Sequence, residues 1–506
     1  MSFLSITYGL FLLSTLGVFW AVVPLGHSET TGKRSFQLWV ILIASLVFYS
    51  SLQIQYVPLL LMLTGITFYI GRAIGAPMDW RVDDDEWQFA QQDWNQRRLK
   101  LLWVGISLNL LLLLGFKYVP FVLESVGALG ATGAPAQADW VKTNIIAPLG
   151  ISFFSFECIA YLVDVYRGAP ATHDFLKFAT YKLFFAKFIS GPITRFHPFA
   201  AQLQTLRFPM PSQMAEGLWL IASGAVKKLL LADHLGTIVG LIFGNIERAG
   251  SGDLWLATFA YGLQLYLDFS GYVDVARGSA LLMGIELPQN FDFPYFCTSI
   301  ADFWRRWHIT LGDWLRNYLY FPLGGSRQGI ARTCLNLIIV MLLAGIWHGA
   351  AWGFIVWGCF HGLALVVHRL TDALSKQWHW LGIFWKTVPG ILAAWAMTQL
   401  MVFTTWIFFR LPNLKDSGLV TSRLFGHAGD IQFAQKVYVE TLQIDRLHLA
   451  LLLWAIVAGM GIAYLFYRGL KLQLNWAVKL MLVPLCLFAA WLLAPNESQP
   501  YIYFDF

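Results

Sequence analysis

Apolar stretches about 20 residues long, the length a helix needs to cross hydrocarbon, recur along the whole of this chain. They lie near 3–26, 36–52, 55–75, 99–123, 144–166, 213–243, 254–285, 332–369 (two helices), 383–411, 448–468 and 475–494. In a bilayer a helix satisfies every backbone N–H and C=O within its own span, which no other open structure does. The pattern predicts an all-α polytopic membrane protein of about 10–12 spans, with re-entrant and amphipathic interfacial helices around a central cavity. The connections 27–35, 76–98, 124–143 and 412–447 are more polar, and no repeat, low-complexity tract or soluble segment divides the chain. Residues 1–506 therefore read as a single domain.

Composition agrees. Charged residues are 13% of the chain and apolar residues 57%, against roughly 25% charged in a water-soluble domain. The formal net charge of +6 fits basic cytoplasmic loops and gives no reason to expect nucleic acid as a partner. Lys33 and Arg34 follow the first run, and Arg81, Arg97, Arg98 and Lys100 surround the loop after the third. Basic loops stay in the cytoplasm, so the N-terminus and the 124–143 loop are expected outside; Asp83, Asp84, Asp85 and Glu86 weigh little in that rule. The opening run lacks a basic leader and exceeds the ~7–15-residue core of a secretory signal, so it reads as the first membrane helix. Cys158, Cys297, Cys334, Cys359 and Cys486 are scattered without CxxC spacing, which points to neither a disulfide framework nor a metal site.

Residues 302–319, DFWRRWHITLGDWLRNYL, are neither loop nor span. On a helix turning about 100° per residue, Trp304, Trp307, Leu311, Trp314, Leu315 and Tyr318 share one apolar arc. Asp302, Arg305, Arg306, Asp313, Arg316 and Asn317 oppose it, with Ile309 the misfit. This is the pattern of an interfacial or cavity-lining helix, and His308 falls in its apolar arc, either packed or aimed into a protected cavity. His348, in LLAGIWHGAAWGF, is an ionisable residue inside an apolar run, where such groups face the protein interior or a water-filled cavity. Gly345 and Gly349 beside it have the small-xxx-small spacing of close helix packing. Glu157 and Asp164 are placed to share a helix face, Asp274 and Arg277 to form an i,i+3 ion pair. These groups, with Asp268, His361 and His368, read as structural.

Six stretches carry a family resemblance: APLGISFFSFECIAYLVDVYRG (147–168), FFAKFISGPITRF (184–196), YLDFSGYVDVARG (266–278), GIELPQNFDFPY (284–295), DFWRRWHITLGDWLRNYLYFPLGG (302–325) and AGIWHGAAWGFIVWGCFHG (344–362). With the terminal YIYFDF (501–506), they resemble the membrane-bound O-acyltransferase (MBOAT) superfamily in its bacterial alginate O-acetyltransferase branch. The resemblance implies that His348 is the catalytic histidine of the WHG motif and His308 the second functional histidine, in FWRRWH. It implies a cytoplasmic thioester donor, acetyl-CoA, with no tightly bound cofactor and no metal; no residues are assigned to donor binding. It also implies a polysaccharide or sugar acceptor, membrane lipid around the chain, a bacterial inner-membrane location, and a separate extracytoplasmic acetyl-transfer partner, since no GxSxG elbow is present here. The chain departs from the branch at Glu157, where Gln is usual, at Asn317, where Asp is usual, and at Phe321, where an aliphatic residue is usual. D-alanyl or lipid acyl transfer on the same fold is the alternative function. A secondary transporter would use Glu157, Asp268 and Asp274 as ion ligands, but the halves that many transporters repeat are missing.

Overall fold

The computed structural model describes residues 3–21, 31–78, 87–130, 133–495 and 499–502, with side chains from residue 34 in the second stretch. Arg81, Asp83, Asp84, Asp85, Glu86, the side chain of Lys33 and positions 503–506 of the terminal aromatic segment lie outside the described residues. Helices make up the regular structure among them, and the one β-bridge, between Phe291 and Trp307, is isolated. The chain packs as two compact units, residues 1–221 with 275–288, and 222–274 with 289–506.

The first unit holds α1 (Ile6–Ala21), α2 (Thr31–Gln53), α3 (Val57–Ile74), α4 (Trp87–Leu113), α5 (Val119–Ala128), α6 (Ala134–Asn144), α7 (Ile151–Tyr166), α8 (Phe175–Leu183), α9 (Phe196–Gln204) and most of α10 (Pro211–Ala225). The stretch expected as the 124–143 loop thus carries the end of one helix and most of another. The apolar run 144–166 becomes helical only at Ile151, after a left-handed Gly150 (φ 75°) set close to the Phe188 and Ile189 backbone. Twelve consecutive residues of α7, Ile151–Leu162, are buried, and Glu157 is among them. Its carboxylate accepts from Lys187 Nζ (2.6 and 2.7 Å), Lys182 Nζ (3.4 Å), and the amide and hydroxyl of Thr194 (3.0 and 2.9 Å). Burying two ammonium groups without a counter-charge is very costly, so the carboxylate at 157 goes with Lys182 and Lys187. Asp164, about two turns further along α7, is only half-buried.

The second unit holds α11 (Asp233–Phe243), most of α12 (Ser251–Leu282), α13 (Ile300–Arg306), α14 (Ile309–Leu315), α15 (Gly329–His348), α16 (Trp352–Gln377), α17 (His379–Phe384), α18 (Val388–Arg410), α19 (Leu414–Arg423), α20 (Ile431–Ala434), α21 (Arg446–Tyr464) and α22 (Trp476–Leu492). A π-turn over Val226–Ala232 directs Lys227 and Lys228 to carboxylates of α12. Asp274 therefore pairs with Lys227 at 2.5 Å, not with Arg277 as its spacing suggested; the Arg277 Nε donates to the Leu287 carbonyl instead. Lys228 bridges Asp233 (2.8 Å) and Asp268 (2.7 Å), covers the Tyr501 ring and donates to the Pro500 carbonyl, while Asp268 accepts from the Ile502 amide.

Among the described residues, six continuous helical stretches are long and apolar enough to cross a bilayer: Arg34–Ile74, Trp87–Ala128, Gly329–His348, Trp352–Gln377, Val388–Arg410 and Arg446–Gly469. Ile6–Ala21 and Trp476–Leu492 are shorter apolar helices. The runs 213–243 and 254–285 are helical as well, but Lys227, Lys228, Asp233, Asp268 and Asp274 dilute their hydropathy. On α21 only Leu449 and Leu453 are buried, whereas Leu447, Leu451, Leu452, Trp454 and Ile462 are exposed. A face so apolar is a lipid-facing surface.

Helices α15 and α16 form a tight antiparallel hairpin. A Cβ on Gly345 would collide with the Phe354 carbonyl oxygen, and one on Gly358 would stand 2.5 Å from the Met341 carbonyl oxygen. The close approach read from Gly345 is present, with Gly358 as its counterpart. Gly349 lies just past the helix end, where a side chain would strike the Phe354 ring. This hairpin brings the last residue of α15 against the first turns of α16.

Candidate active site

That last residue is His348, 2% exposed. Its ring packs on Trp347 (centroids 4.9 Å apart), Trp357 of α16 (5.2 Å) and Phe409 of α18 (5.0 Å). Trp406 in turn stacks on Trp357 at 5.9 Å. The imidazole is thus walled by aromatic rings, a water-poor setting in which any charge or dipole acts strongly.

The single amphipathic helix expected over 302–319 is broken at the second histidine. Ser299 caps α13 by accepting from the Asp302 amide (3.1 Å), and the helix stops at Arg306. A continuous helix would need the Arg306 carbonyl and the Ile309 and Thr310 amides for its own i,i+4 bonds. The 290–292 segment takes all three: Asp292 N donates to Arg306 O (2.9 Å), Ile309 N to Asn290 O (2.9 Å), and Thr310 N to Asn290 Oδ1 (3.1 Å). His308 is left between α13 and α14 in the left-handed region (φ 45°, ψ 54°), which is uncommon for residues other than glycine. The arc itself largely survives the break, since Trp307, Leu311, Trp314, Leu315 and Tyr318 are all buried and Trp304 is half-buried.

The same asparagine sets the state of the His308 ring. Asn290 Oδ1 receives Thr310 N, Thr310 Oγ1 (3.0 Å) and His308 Nδ1 (3.3 Å). A backbone N–H can only donate, so the shared atom is the amide oxygen, and the ring nitrogen facing it carries the proton. His308 is the Nδ1–H tautomer with the lone pair on Nε2. Fully buried and outside every candidate span, the imidazole is pulled down by burial to a pKa of about 3, so it is neutral at physiological pH. Its ring packs on Phe269 (5.0 Å) and on Trp347 (6.2 Å). Both histidines singled out in the sequence therefore pack against one indole.

The other two histidines singled out in the sequence, His361 and His368, have structural partners. His361 is buried with both nitrogens engaged: Trp304 Nε1 donates to Nδ1 (3.2 Å), and Nε2 lies 3.0 Å from Thr405 Oγ1, which itself donates to the Val402 carbonyl. Nε2 must then carry the proton, and the ring is a structural link between α13, α16 and α18. His368 pairs with Asp372 at 3.6 Å. Among the described residues, no three His, Cys, Asp or Glu side chains gather as a metal site would require. Sequence reasoning missed Asn290, although the GIELPQNFDFPY stretch contains it, and missed the aromatic walls Trp357 and Phe409.

Helices that expose broad apolar faces, enclosing a buried pair of histidines on a shared tryptophan, define a polytopic membrane protein with a buried polar centre. The chain belongs to the membrane-bound O-acyltransferase (MBOAT) family, whose model matches residues 59–407, and it is an O-acyltransferase. It is 37% identical over 454 residues to "Probable alginate O-acetylase AlgI" of Pseudomonas aeruginosa, covering 89% of this chain and 81% of that one. It is 33% identical over 422 residues to the peptidoglycan O-acetyltransferase of Helicobacter pylori, covering 78% and 74%. Similarity to the teichoic acid D-alanyltransferase of Streptococcus thermophilus is 31% over 233 residues, 44% of this chain and 56% of that protein.

Proposed function

We propose that this O-acyltransferase moves an acetyl group from a cytoplasmic thioester, acetyl-CoA, to a hydroxyl of a cell-envelope or extracellular polysaccharide, from the bacterial inner membrane. The relatives named for acetylation of alginate and of peptidoglycan match far more of the chain than the D-alanyl transfer protein does, which favours acetyl as the group and a sugar as the acceptor. A separate extracytoplasmic protein would complete delivery to polymer.

The observation that carries the mechanism is the pair of histidines packed on Trp347. A hydroxyl is a poor nucleophile until its proton is removed, and a neutral imidazole of ordinary pKa about 6.5 suits that task, contributing about 10²–10⁴-fold. His348 is assigned as this general base. As the hydroxyl oxygen attacks the thioester carbonyl, its proton passes to the imidazole, and collapse of the tetrahedral adduct expels the thiolate, which takes the proton back. His308 has its Nδ1–H committed to Asn290, so it serves through the Nε2 lone pair, orienting the acceptor by taking a hydrogen bond from a neighbouring hydroxyl of the sugar, not from the one that attacks.

The test is transfer of radiolabel from acetyl-CoA to base-labile ester in envelope polysaccharide, in membranes carrying wild type, His348→Ala or His308→Asn at matched expression. Loss of label in both variants supports the pair as a unit. Wild-type labelling by His348→Ala ends the assignment of His348, and wild-type labelling by both ends the mechanism.

A further inference from the structure

Away from the histidine pair, the second unit contains a cavity of about 850 Å³ between the C-terminal half of α16, α17 and the N-terminal half of α18. It has a polar end and an apolar end. At the polar end stand Ser375, Lys376, Trp385 and Lys386; further along lie Val367, Ala394, Met397 and Met401, with the small polar residues Thr298, Ser299 and Thr398 beside them. The spacing places these on single faces: 394, 397 and 401 along α18, and 368, 372, 375 and 376 along α16. Met401 is about 20 Å along α18 from its start at 1.5 Å per residue, close to half the roughly 40–45 Å of a whole bilayer.

Two enclosed hydrogen-bond donors at the polar end are unused, and two exposed lysines stand beside them. Neither Lys376 nor Lys386 has an ion-pair or hydrogen-bond partner among the described residues. The enclosed Ser375 hydroxyl and Trp385 indole N–H likewise have no hydrogen-bond partner there. The one lining carboxylate near them, Asp372, is half outside the cavity and lies 3.6 Å from His368 Nε2. Enclosed donors without acceptors are costly, and two ammonium groups, a hydroxyl and an indole N–H are together what a phosphate oxygen cluster accepts. Trp378 and Trp380, with stacked rings and 51% and 65% exposure, flank the same end. Tryptophans so placed mark the headgroup level of a bilayer. Positive charge at headgroup depth, with an apolar channel running inward for one leaflet, matches an anionic phospholipid end for end.

We infer that this cavity is a binding site for one anionic phospholipid, its phosphate held by Lys376, Lys386, Ser375 and Trp385 and an acyl chain laid along Val367, Ala394, Met397 and Met401. The site is separate from the histidine pair and does not depend on which acyl group the enzyme transfers.

The test uses the full-length protein, purified in neutral detergent and stripped of lipid, with dioleoylphosphatidylglycerol and dioleoylphosphatidylcholine titrated by native mass spectrometry. Wild type is expected to hold one phosphatidylglycerol in preference to phosphatidylcholine. K376A/K386A should bind phosphatidylglycerol about tenfold to thirtyfold more weakly, at the usual contribution of each basic residue near an anionic headgroup. M397W, which fills the apolar end and leaves the charges, should weaken it too. The two variants act on opposite ends of the cavity, so either alone decides the matter should the other fail to fold. Unchanged phosphatidylglycerol affinity in a folded variant of either kind would overturn the site. Equal binding of the two lipids by wild type would overturn the anion selectivity. Displacement of phosphatidylglycerol by acetyl-CoA or inorganic phosphate would make this a site for a soluble phosphate compound and overturn the lipid.

Discussion

Replacing Asn290 should disable the enzyme without touching either histidine. Its amide oxygen is the common acceptor for the Thr310 amide and hydroxyl and for His308 Nδ1. Asn290→Ala leaves the buried Thr310 N–H without that acceptor, a cost of about 1–3 kcal/mol, and frees the imidazole to take either tautomer. If correct presentation of the Nε2 lone pair is what orients the acceptor, kcat should fall about 10²-fold, with KM for acetyl-CoA little changed. Asn290→Asp separates the chemistry from the scaffold. A carboxylate accepts the same three bonds, but it also stabilises the imidazolium, so it raises the His308 pKa from its burial-lowered value of about 3. The wild type should show no acid limb from this group above about pH 4. The Asp variant should be near wild type at pH 8 and lose rate as pH falls through the raised pKa, because the lone pair is then protonated. The assay is acetyl transfer from pH 5 to 8.5 in membranes of matched protein content. Wild-type kcat and pH profile in a folded Asn290→Ala would refute the tautomer argument. So would equal, pH-independent losses in the Ala and Asp variants, which would reduce Asn290 to a structural clasp.

Three other outcomes are expected. Glu157→Gln, which installs the residue usual in the branch, should destabilise this chain by about 3–5 kcal/mol because Lys182 and Lys187 lose their counter-charge, and Glu157→Gln with Lys187→Met should recover part of it; melting temperature in detergent reads both. Gly345→Ala should cost about 1–3 kcal/mol through overpacking against the Phe354 carbonyl, while Ala at Gly459 of α21, where a Cβ meets nothing, should cost nothing measurable in the same melt. His361→Gln should reduce stability more than it changes the shape of the pH–rate profile, since both ring nitrogens of His361 serve bonds to Trp304 and Thr405.

Hydrophobic run length and motif chemistry made much of this molecule legible before any coordinates. The helical membrane architecture follows from apolar stretches that can satisfy their backbones only internally, and His348 was visible as an ionisable residue in one of them. Partners distant in sequence were not visible. A helical wheel over 302–319 assumes that a helix's own carbonyls are its amides' best acceptors. It has no means to register that Asn290 and Asp292, far upstream, take those groups. The same limit explains Asp274, which the i,i+3 rule gave to Arg277 but a π-turned lysine claimed. Glu157 was noticed as a departure, yet its reason lay in Lys182 and Lys187 on the following segments.

The left-handed backbone at His308 also restricts what can stand there. Asparagine, aspartate, histidine and glycine tolerate such a φ, and β-branched or other bulky residues rarely do. A library randomised at 308 and sorted only for a folded, membrane-inserted protein should return that short alphabet, whereas sorting for product should return histidine alone. The residues that pass the first sieve and fail the second isolate what the imidazole contributes as chemistry from what the backbone demands as shape. Alanine, the habitual probe, confounds the two at this position.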